Sequence, residues 1–417
     1  LEPTNNDELN FGFKEKDPEK AIQELNAKLG CNNGWFIQLI KEITEYGSKI
    51  TDIVIKEGQV IKVGKLKGLV PLEMKFGGNS VFKPTAQDIK SVALAFGKES
   101  HLGTSMSSID FSVAAFGIGV FRFNYSKDMS GLRQCIRCLD FDIPEFESHK
   151  YPNSYKRIFN NLVRETVETG KDGKERRIGM LSGGGLILHV GPTGSGKTTA
   201  ISSEIRMLAD KISGTILTYE NPIEYRILKS KADVSQYELG RHIFPQNGRS
   251  LSQTVKDHLL RNNPSVAMIS EVKSEEEIYD MFDTAGRGHL VFSTMHARNT
   301  EEALSLALSI MKDSRHKIAT SLLAIVSHHL HLTVNGGRII PVYETFIPDD
   351  IVKQKISEGK LNDVKRQLYK DKPEGSKSQT FEEYISWLHE SKTISTDERA
   401  EITTAMGQAI VKRSEIL

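Results

Sequence analysis

Gly191-Pro192-Thr193-Gly194-Ser195-Gly196-Lys197-Thr198-Thr199 sets glycines, a lysine and hydroxyls in the spacing Gly-x4-Gly-Lys-Thr. Glycine at 191, 194 and 196 lets backbone N–H groups converge on a phosphate without Cβ clashes. In a P-loop of this spacing Lys197 reaches the β- and γ-phosphates and the Thr198 hydroxyl sits on Mg²⁺. The chemistry implied is phosphoryl transfer with ATP as substrate. A chance glycine turn would lack the apolar strand Leu186–Val190 before it and the helix from Lys197 to Ala209 after it, whose N-terminus adds partial positive charge.

Hydrolysis also needs a polarised water, a held metal and cations for the developing charge. Glu220-Asn221-Pro222-Ile223-Glu224-Tyr225 follows a strand over Gly214–Tyr219, Glu271 follows one over Ser265–Ser270, and His296 follows one over His289–Thr294. Ligands gather at the carboxyl ends of parallel strands, so these acids and the histidine converge on one edge of a sheet. Singly, each acid is as well read as a helix cap or a solvated charge; behind a P-loop the set reads as a site. Glu271 is expected to polarise the attacking water, Glu220 or Glu224 to hold Mg²⁺ through water or orient the nucleophile, and His296 to sense the γ-phosphate.

The elements that position these residues alternate strand and helix from Gly184 onward, which predicts an α/β fold with a mainly parallel sheet covered on both faces. Helices are expected over Ser274–Ala285, Thr300–Lys312 and Lys317–Val326, and strands over His331–Val334 and Ile339–Thr345. Helices over Asp349–Glu358, Asn362–Tyr369, Phe381–His389 and Thr396–Val411 close the chain. Before the P-loop, helices over Pro18–Leu29, Trp35–Tyr46 and Pro84–Phe96 accompany a hairpin at Ile50–Val63. Further strands over Ile109–Val113, Gly119–Tyr125 and Leu132–Leu139 complete an α+β portion. A helix Tyr155–Thr169 and a charged loop Gly170–Arg177 connect the two portions. The division expected is a polar lead over 1–44, an N-terminal domain over 45–148, a connector over 149–183, an ATPase domain over 184–345 and a helical region over 346–417.

With 55 Lys and Arg against 54 Asp and Glu, the net charge is +1, and no long basic run marks a dedicated nucleic-acid surface. No apolar run of about 18 residues predicts a membrane span, and the polar first residues carry no signal-peptide core. Three cysteines, Cys31, Cys135 and Cys138, make no disulfide framework and suit a reducing cytosol. Cys135-x-x-Cys138 lies in a stretch that reads as strand, without a second pair to complete a zinc site. His328-His329-Leu330-His331 would put His329 and His331 on one strand face, with no third ligand marked.

Thr218–Tyr225 resembles the aspartate box of the secretion and type IV pilus ATPase superfamily, Asn262–Glu271 its Walker B segment and Gly288–His296 its histidine box, in the family's order. Ser48–Leu69 resembles the family's PAS-like opening, and the stretches 351–360 and 379–399 resemble the helical tail of retraction-type ATPases. The resemblance implies a PAS-like α+β N-terminal domain, a RecA-like P-loop ATPase domain and a helical C-terminal tail. It also implies ATP held between the two domains, with Arg122 and Arg137 reaching it. A homohexamer, peripheral to the cytoplasmic side of an inner membrane and docked on secretion or conjugation apparatus proteins, completes the expectation. The four-cysteine zinc motif of assembly-type members is absent. Leu217–Glu220 and Ser235–His242 look closer to the DotB/TraJ ATPases of type IVB secretion and IncI-like conjugation than to the pilus retraction ATPases.

Several positions depart from the pattern. Asn221 stands where many members have Asp, Ser270 where most have Gly, and Lys273-Ser274 where Arg-Asp is usual. Asp257 replaces a common arginine while Arg261 is kept, and Tyr237 replaces an arginine of the retraction type. The missing cation's role could pass to Arg241 or Arg249. A DNA translocase and a nucleotide-dependent scaffold are the rival readings from other classes; DNA-stimulated turnover would mark the first, and absence of phosphate release the second.

Overall fold

A computed structural model describes residues 18–414 apart from 30–32, 46–49, 66–67, 97–107, 116–118, 140–141, 170–174, 229, 246–247, 334–337, 371 and 373–374. Cys31 and most of the loop expected at 170–177 lie outside the described residues. The chain divides into two compact units, Leu1–Ile143 and Pro144–Leu417.

In the first unit, α1 (Pro18–Leu29) and α2 (Gly34–Glu45) precede β1 (Asp52–Lys56), β2 (Lys62–Lys65) and β3 (Gly68–Pro71). Then come α3 (Ala86–Ala95), β4 (Ser108–Ala115), β5 (Gly119–Asp128) and β6 (Gly131–Leu139). The strands form one antiparallel sheet in the order β3-β2-β1-β6-β5-β4. Apolar spacing on α2 buries Trp35, Phe36, Leu39 and Ile40 with Phe111, Phe123 and Ile136 of the sheet. The Phe111 and Phe123 rings stack at 4.9 Å, a pair that adds to plain area burial. Thr85 caps α3 through a reciprocal capping box with Asp88. Cys135 and Cys138 lie within β6.

The second unit begins with α4 (Asn153–Leu162), β7 (Val163–Thr169) and β8 (Glu175–Leu181). Its central elements are β9 (Gly185–Val190), α5 (Lys197–Lys211), β10 (Thr215–Glu220), β11 (Asp233–Glu238), α6 (Leu251–Asn262), β12 (Val266–Ile269), α7 (Glu275–Gly286) and β13 (Leu290–Met295). They lead to α8 (Thr300–Ile310), α9 (Arg315–Ser321), β14 (Leu322–Leu332) and β15 (Ile339–Phe346). The tail is α10 (Asp350–Ser357), α11 (Leu361–Tyr369), α12 (Phe381–Glu390) and α13 (Thr396–Ser414). The main sheet runs β11-β10-β12-β13-β9-β14-β15, parallel except for the antiparallel β14–β15 pair. β9 and β13 are buried at every residue, as strands covered on both faces are, with His189, Ser293 and Thr294 as their buried polar residues. Because β9 lies between β13 and β14 while the chain crosses two strands to reach β10, the turn after β9 opens at the point where the strand order reverses.

Four expectations need correction. The helix expected over 155–169 stops at Leu162, and Val163–Thr169 instead pairs antiparallel with Glu175–Leu181, so Glu175–Arg177 are strand rather than loop. The β-branched Val163, Thr166, Val167 and Thr169 suit a strand once a partner exists. The helix expected over 317–326 ends at Ser321; Leu322–Leu332 runs on as β14 beside β9, absorbing the strand placed at 331–334. A short apolar run reads alike for helix and buried strand, and the open edge of β9 decides it. β11 and α6, neither of them foreseen, complete the acid-bearing side of the sheet.

The β7–β8 hairpin is held against the main body by Gly179, whose carbonyl accepts from Ser213 N at 2.8 Å and where an added Cβ would overlap the Lys211 carbonyl. Gly179→Ala is therefore expected to destabilise the chain by about 1–3 kcal/mol, read as a drop in the urea midpoint, because the obstructing atom is backbone and cannot swing away. An unchanged midpoint would mean that the hairpin is free of α5.

Candidate active site

β9 delivers the chain into the turn at Gly191, and α5 leaves it at Lys197. Gly191, Gly194 and Gly196 have φ of 144°, 78° and 90°, values open to glycine and strained for other residues. α5 starts at Gly196 without a side-chain cap, whereas α6, α7 and α12 each open on a capping box. Its first N–H groups are thus left for an acceptor other than the chain's own side chains. The Ser195 hydroxyl, buried in the same turn, has no hydrogen-bond partner among the described residues.

Lys197 is 9% exposed and donates to the carbonyls of Gly191 at 2.8 Å and Pro192 at 3.0 Å. Burial pulls its pKa down, while Glu271 and Glu224 pull it back up. A shielded ammonium, uncapped N–H groups and an unpartnered hydroxyl around one glycine turn fit a polyphosphate better than any neutral group. Thr198 is half-buried at the helix start, and the Thr199 hydroxyl meets the Tyr225 hydroxyl at 3.2 Å, tying the P-loop helix to the acid-bearing loop after β10.

The acids divide by environment. Glu271 is half-buried, its Oε1 2.6 Å from His296 Nε2 and its Oε2 2.9 Å from Lys273 Nζ, so the acid after β12 and the histidine after β13 are brought together as expected from their strands. Glu224 is half-buried and close enough to Lys197 to favour its charged form. Glu220 ends β10 at 2% exposure, accepting from the Thr218 hydroxyl at 2.6 Å and Gln236 Nε2 at 3.1 Å. Desolvation pushes its pKa up to about 7, against the pull of those two hydrogen bonds.

Gln236, missed in the sequence, holds the acidic loop: it also donates to Tyr225 O at 2.8 Å and accepts from Ile227 N at 2.9 Å. No local signal marked it: Ser235–Glu238 is polar apart from Tyr237, and β11 is set by its parallel pairing with β10. Among the arginines, Arg122 and Arg137 are direct cross-strand neighbours on β5 and β6, and Arg137 Nε lies 3.4 Å from Asp52. Arg241, in the turn after β11, and Arg261, in the last turn of α6, are exposed. Arg249 pairs with Asp257, so the unexpected acid at 257 engages one of the arginines considered as a substitute. In the histidine triplet, His328 faces away from His331; it meets His189, whereas His331 Nε2 meets Glu401 at 3.1 Å.

With this geometry in view, comparison with known proteins is specific. Residues 166–401 match the family described as Type II/IV secretion system protein, and the chain belongs to that family. The type IV pilus ATPase PilU of Pseudomonas aeruginosa is 28% identical over 287 residues, 67% of each chain. The crystal structure of the pilus retraction motor PilT with bound ADP aligns at a TM-score of 0.67 and 25% identity, over 87% of this chain and 95% of that one. The ATPase DotB of Legionella pneumophila aligns at a TM-score of 0.62 and 19% identity, over 89% and 96%, and so shows the shared fold. The chain is thus a member of the type II/IV secretion and pilus ATPase superfamily, with an N-terminal β-sheet domain, a RecA-like P-loop domain and C-terminal helices. Among the described residues no helix is long and apolar enough to cross a membrane.

Glu220 yields a pH test. Its folded pKa of about 7 lies above the ordinary 4.5, so the folded state keeps a proton that the unfolded state has lost. Stability should therefore fall as pH rises from 4.5 to about 7 and level off above, by up to about 3 kcal/mol. Glu220→Gln should lose that decline and match or exceed the wild type in urea unfolding at pH 8. A decline of the same size in the variant would show that another group titrates.

Proposed function

We propose that the chain hydrolyses ATP to drive a motor of the secretion and pilus class. The observation that carries this reading is Lys197, shielded from water and resting on two P-loop carbonyls with Glu271 and Glu224 beside it. When ATP binds, those carbonyl bonds exchange for charge-assisted bonds to its phosphates, while Gly194, Ser195 and Gly196 offer backbone N–H groups to the same oxygens. Pro192 and Thr193 shape the outer part of the turn, and Thr199 keeps the acidic loop close through Tyr225.

Glu271 takes the proton of the attacking water, and His296, bonded to the same carboxylate, fixes its orientation. Thr198 would hold Mg²⁺, which supplies charge neutralisation and a template for the phosphates when bound. Of the two acids considered for its second contact, Glu224 is better placed beside Lys197, and Glu220's burial suits it to holding the loop through Gln236. Arg137 is engaged by Asp52 within the first unit, and the exposed Arg241 and Arg261 are cations available to a neighbouring subunit in a homohexamer.

As to the machine, we propose type IVB secretion or conjugative transfer, with the ring resting peripherally on the cytoplasmic side of the inner membrane. Tyr237, where retraction-type ATPases carry arginine, supports that choice; it packs on Tyr219 and His258 rather than presenting a charge. The second reading, a pilus retraction motor, is favoured by the similarity to PilU and PilT. Loss of twitching on deletion would select the second, and loss of conjugation or effector delivery the first.

Phosphate release by the purified chain tests the catalytic reading. Glu271→Gln should keep ATP binding and lower turnover by about 10²–10⁴-fold. Lys197→Ala should abolish saturable ATP binding, measured with a fluorescent nucleotide. Wild-type turnover by Glu271→Gln would remove that residue from catalysis, and a folded, assembled wild type that neither binds nor hydrolyses ATP would end the motor account.

A further inference from the structure

Beneath the P-loop lies a hydrogen-bonded group that the motif does not require. Glu204 on α5 is fully buried; its Oε1 accepts from the Tyr155 hydroxyl of α4 at 2.9 Å, and its Oε2 lies 3.0 Å from His189 Nε2. His189, also fully buried, is the residue of β9 two places before Gly191, and its Nδ1 lies 2.7 Å from His328 Nε2 on β14. The proton inventory closes without a gap. Tyr155 O–H donates to Glu204, His189 Nε2–H can do the same, and His189 Nδ1 can then accept from His328 Nε2–H. Burial is the main cause that holds His328 neutral, and the nearby Lys197 ammonium opposes a second positive charge there.

The placement of these groups is the informative feature. β9 enters the P-loop and α5 leaves it, so the His189–Glu204 contact pins the two ends of the turn to each other. His328 reaches the turn itself: a Cβ at Gly191 would stand 2.7 Å from the His328 carbonyl oxygen. The His328 ring packs edge-on against Tyr343 at 5.1 Å, and the Tyr343 hydroxyl lies 3.3 Å from His149 Nδ1. Three buried polar side chains contribute little to net stability compared with apolar residues of the same volume. What a fully satisfied buried network does supply is a single geometry.

We propose that Glu204, His189 and His328 are positioning residues for nucleotide binding, clamping the strand that enters the P-loop to the helix that leaves it and thereby setting the reach of Lys197. The inference rests on the reading of that turn as an ATP site. Loss of the clamp leaves Glu271 and His296 in place, so it weakens ATP binding more than turnover.

The test is steady-state ATP hydrolysis by the full chain as wild type, Glu204→Ala and Glu204→Gln, with Glu344→Gln as control. Glu344 is an equally buried carboxylate in the same unit, but it lies on β15, with β14 between it and β9, and caps α8 through Thr300. Glu204→Ala is expected to raise KM for ATP about tenfold with kcat within about twofold, and Glu204→Gln, which keeps an acceptor for Tyr155, to recover most of that loss. Glu344→Gln is expected to lower the unfolding midpoint and leave KM unchanged. Should Glu204→Ala not fold, the comparison stands on Glu204→Gln, whose KM must then exceed that of the wild type measurably. An unshifted KM in folded Glu204 variants, or an equal shift in Glu344→Gln, overturns the proposal while wild-type turnover leaves the ATPase reading intact; a wild type without ATP binding or turnover removes both.

Discussion

An ammonium removed from water needs negative charge or oriented dipoles near it, and the arrangement of the second unit follows from where Lys197 finds them. Two carbonyls of its own loop receive it, and two carboxylates from other strands favour its charged form. The same turn leaves the N-terminus of α5 without a side-chain cap, so one short stretch concentrates a cation, free N–H donors and a buried hydroxyl. Neutral ligands would leave most of this unsatisfied. Phosphates satisfy all of it at once.

The sheet topology explains why the acids belong to the same site. β9 is flanked by β13 on one side and β14 on the other, and β12 and β10 follow beyond β13. Parallel pairing sends all of their carboxyl ends in one direction, which brings Glu271 and His296 to hydrogen-bonding distance although they lie 25 residues apart in the chain. β14 closes the other flank, so that His328 and His189 meet beneath the turn rather than facing solvent. Acids of the same type thus meet different environments. Glu220, sealed at the end of β10, tends towards the protonated form and holds a loop, whereas Glu271 stays half-exposed with a histidine and a lysine on its two oxygens.

Similarity to PilU, PilT and DotB fits this picture at the level of the family and the fold. The chain's departures from the family pattern also acquire physical content. Asp257 does not stand alone but pairs with Arg249, and Lys273 takes one oxygen of Glu271. Tyr237 trades a charge for ring packing against Tyr219 at 5.6 Å.

The amino-acid order alone determined the P-loop, the strand before it and the helix after it, because those depend on glycine's φ freedom, on local apolar runs and on a spacing of nine residues read directly. It likewise located Glu271 and His296, since each closes an apolar strand. Most terminal helices and the first unit's hairpin were legible for the same local reasons. Tertiary structure decided the rest. Val163–Thr169 and Leu322–Leu332 became strands only because a partner edge was there to accept their backbone hydrogen bonds, and no local propensity records such a partner. The different environments of Glu220 and Glu224, the hold of Gln236 on their loop, and the meeting of His189, Glu204 and His328 depend on burial and on contacts between distant residues, which a linear order of side chains does not contain.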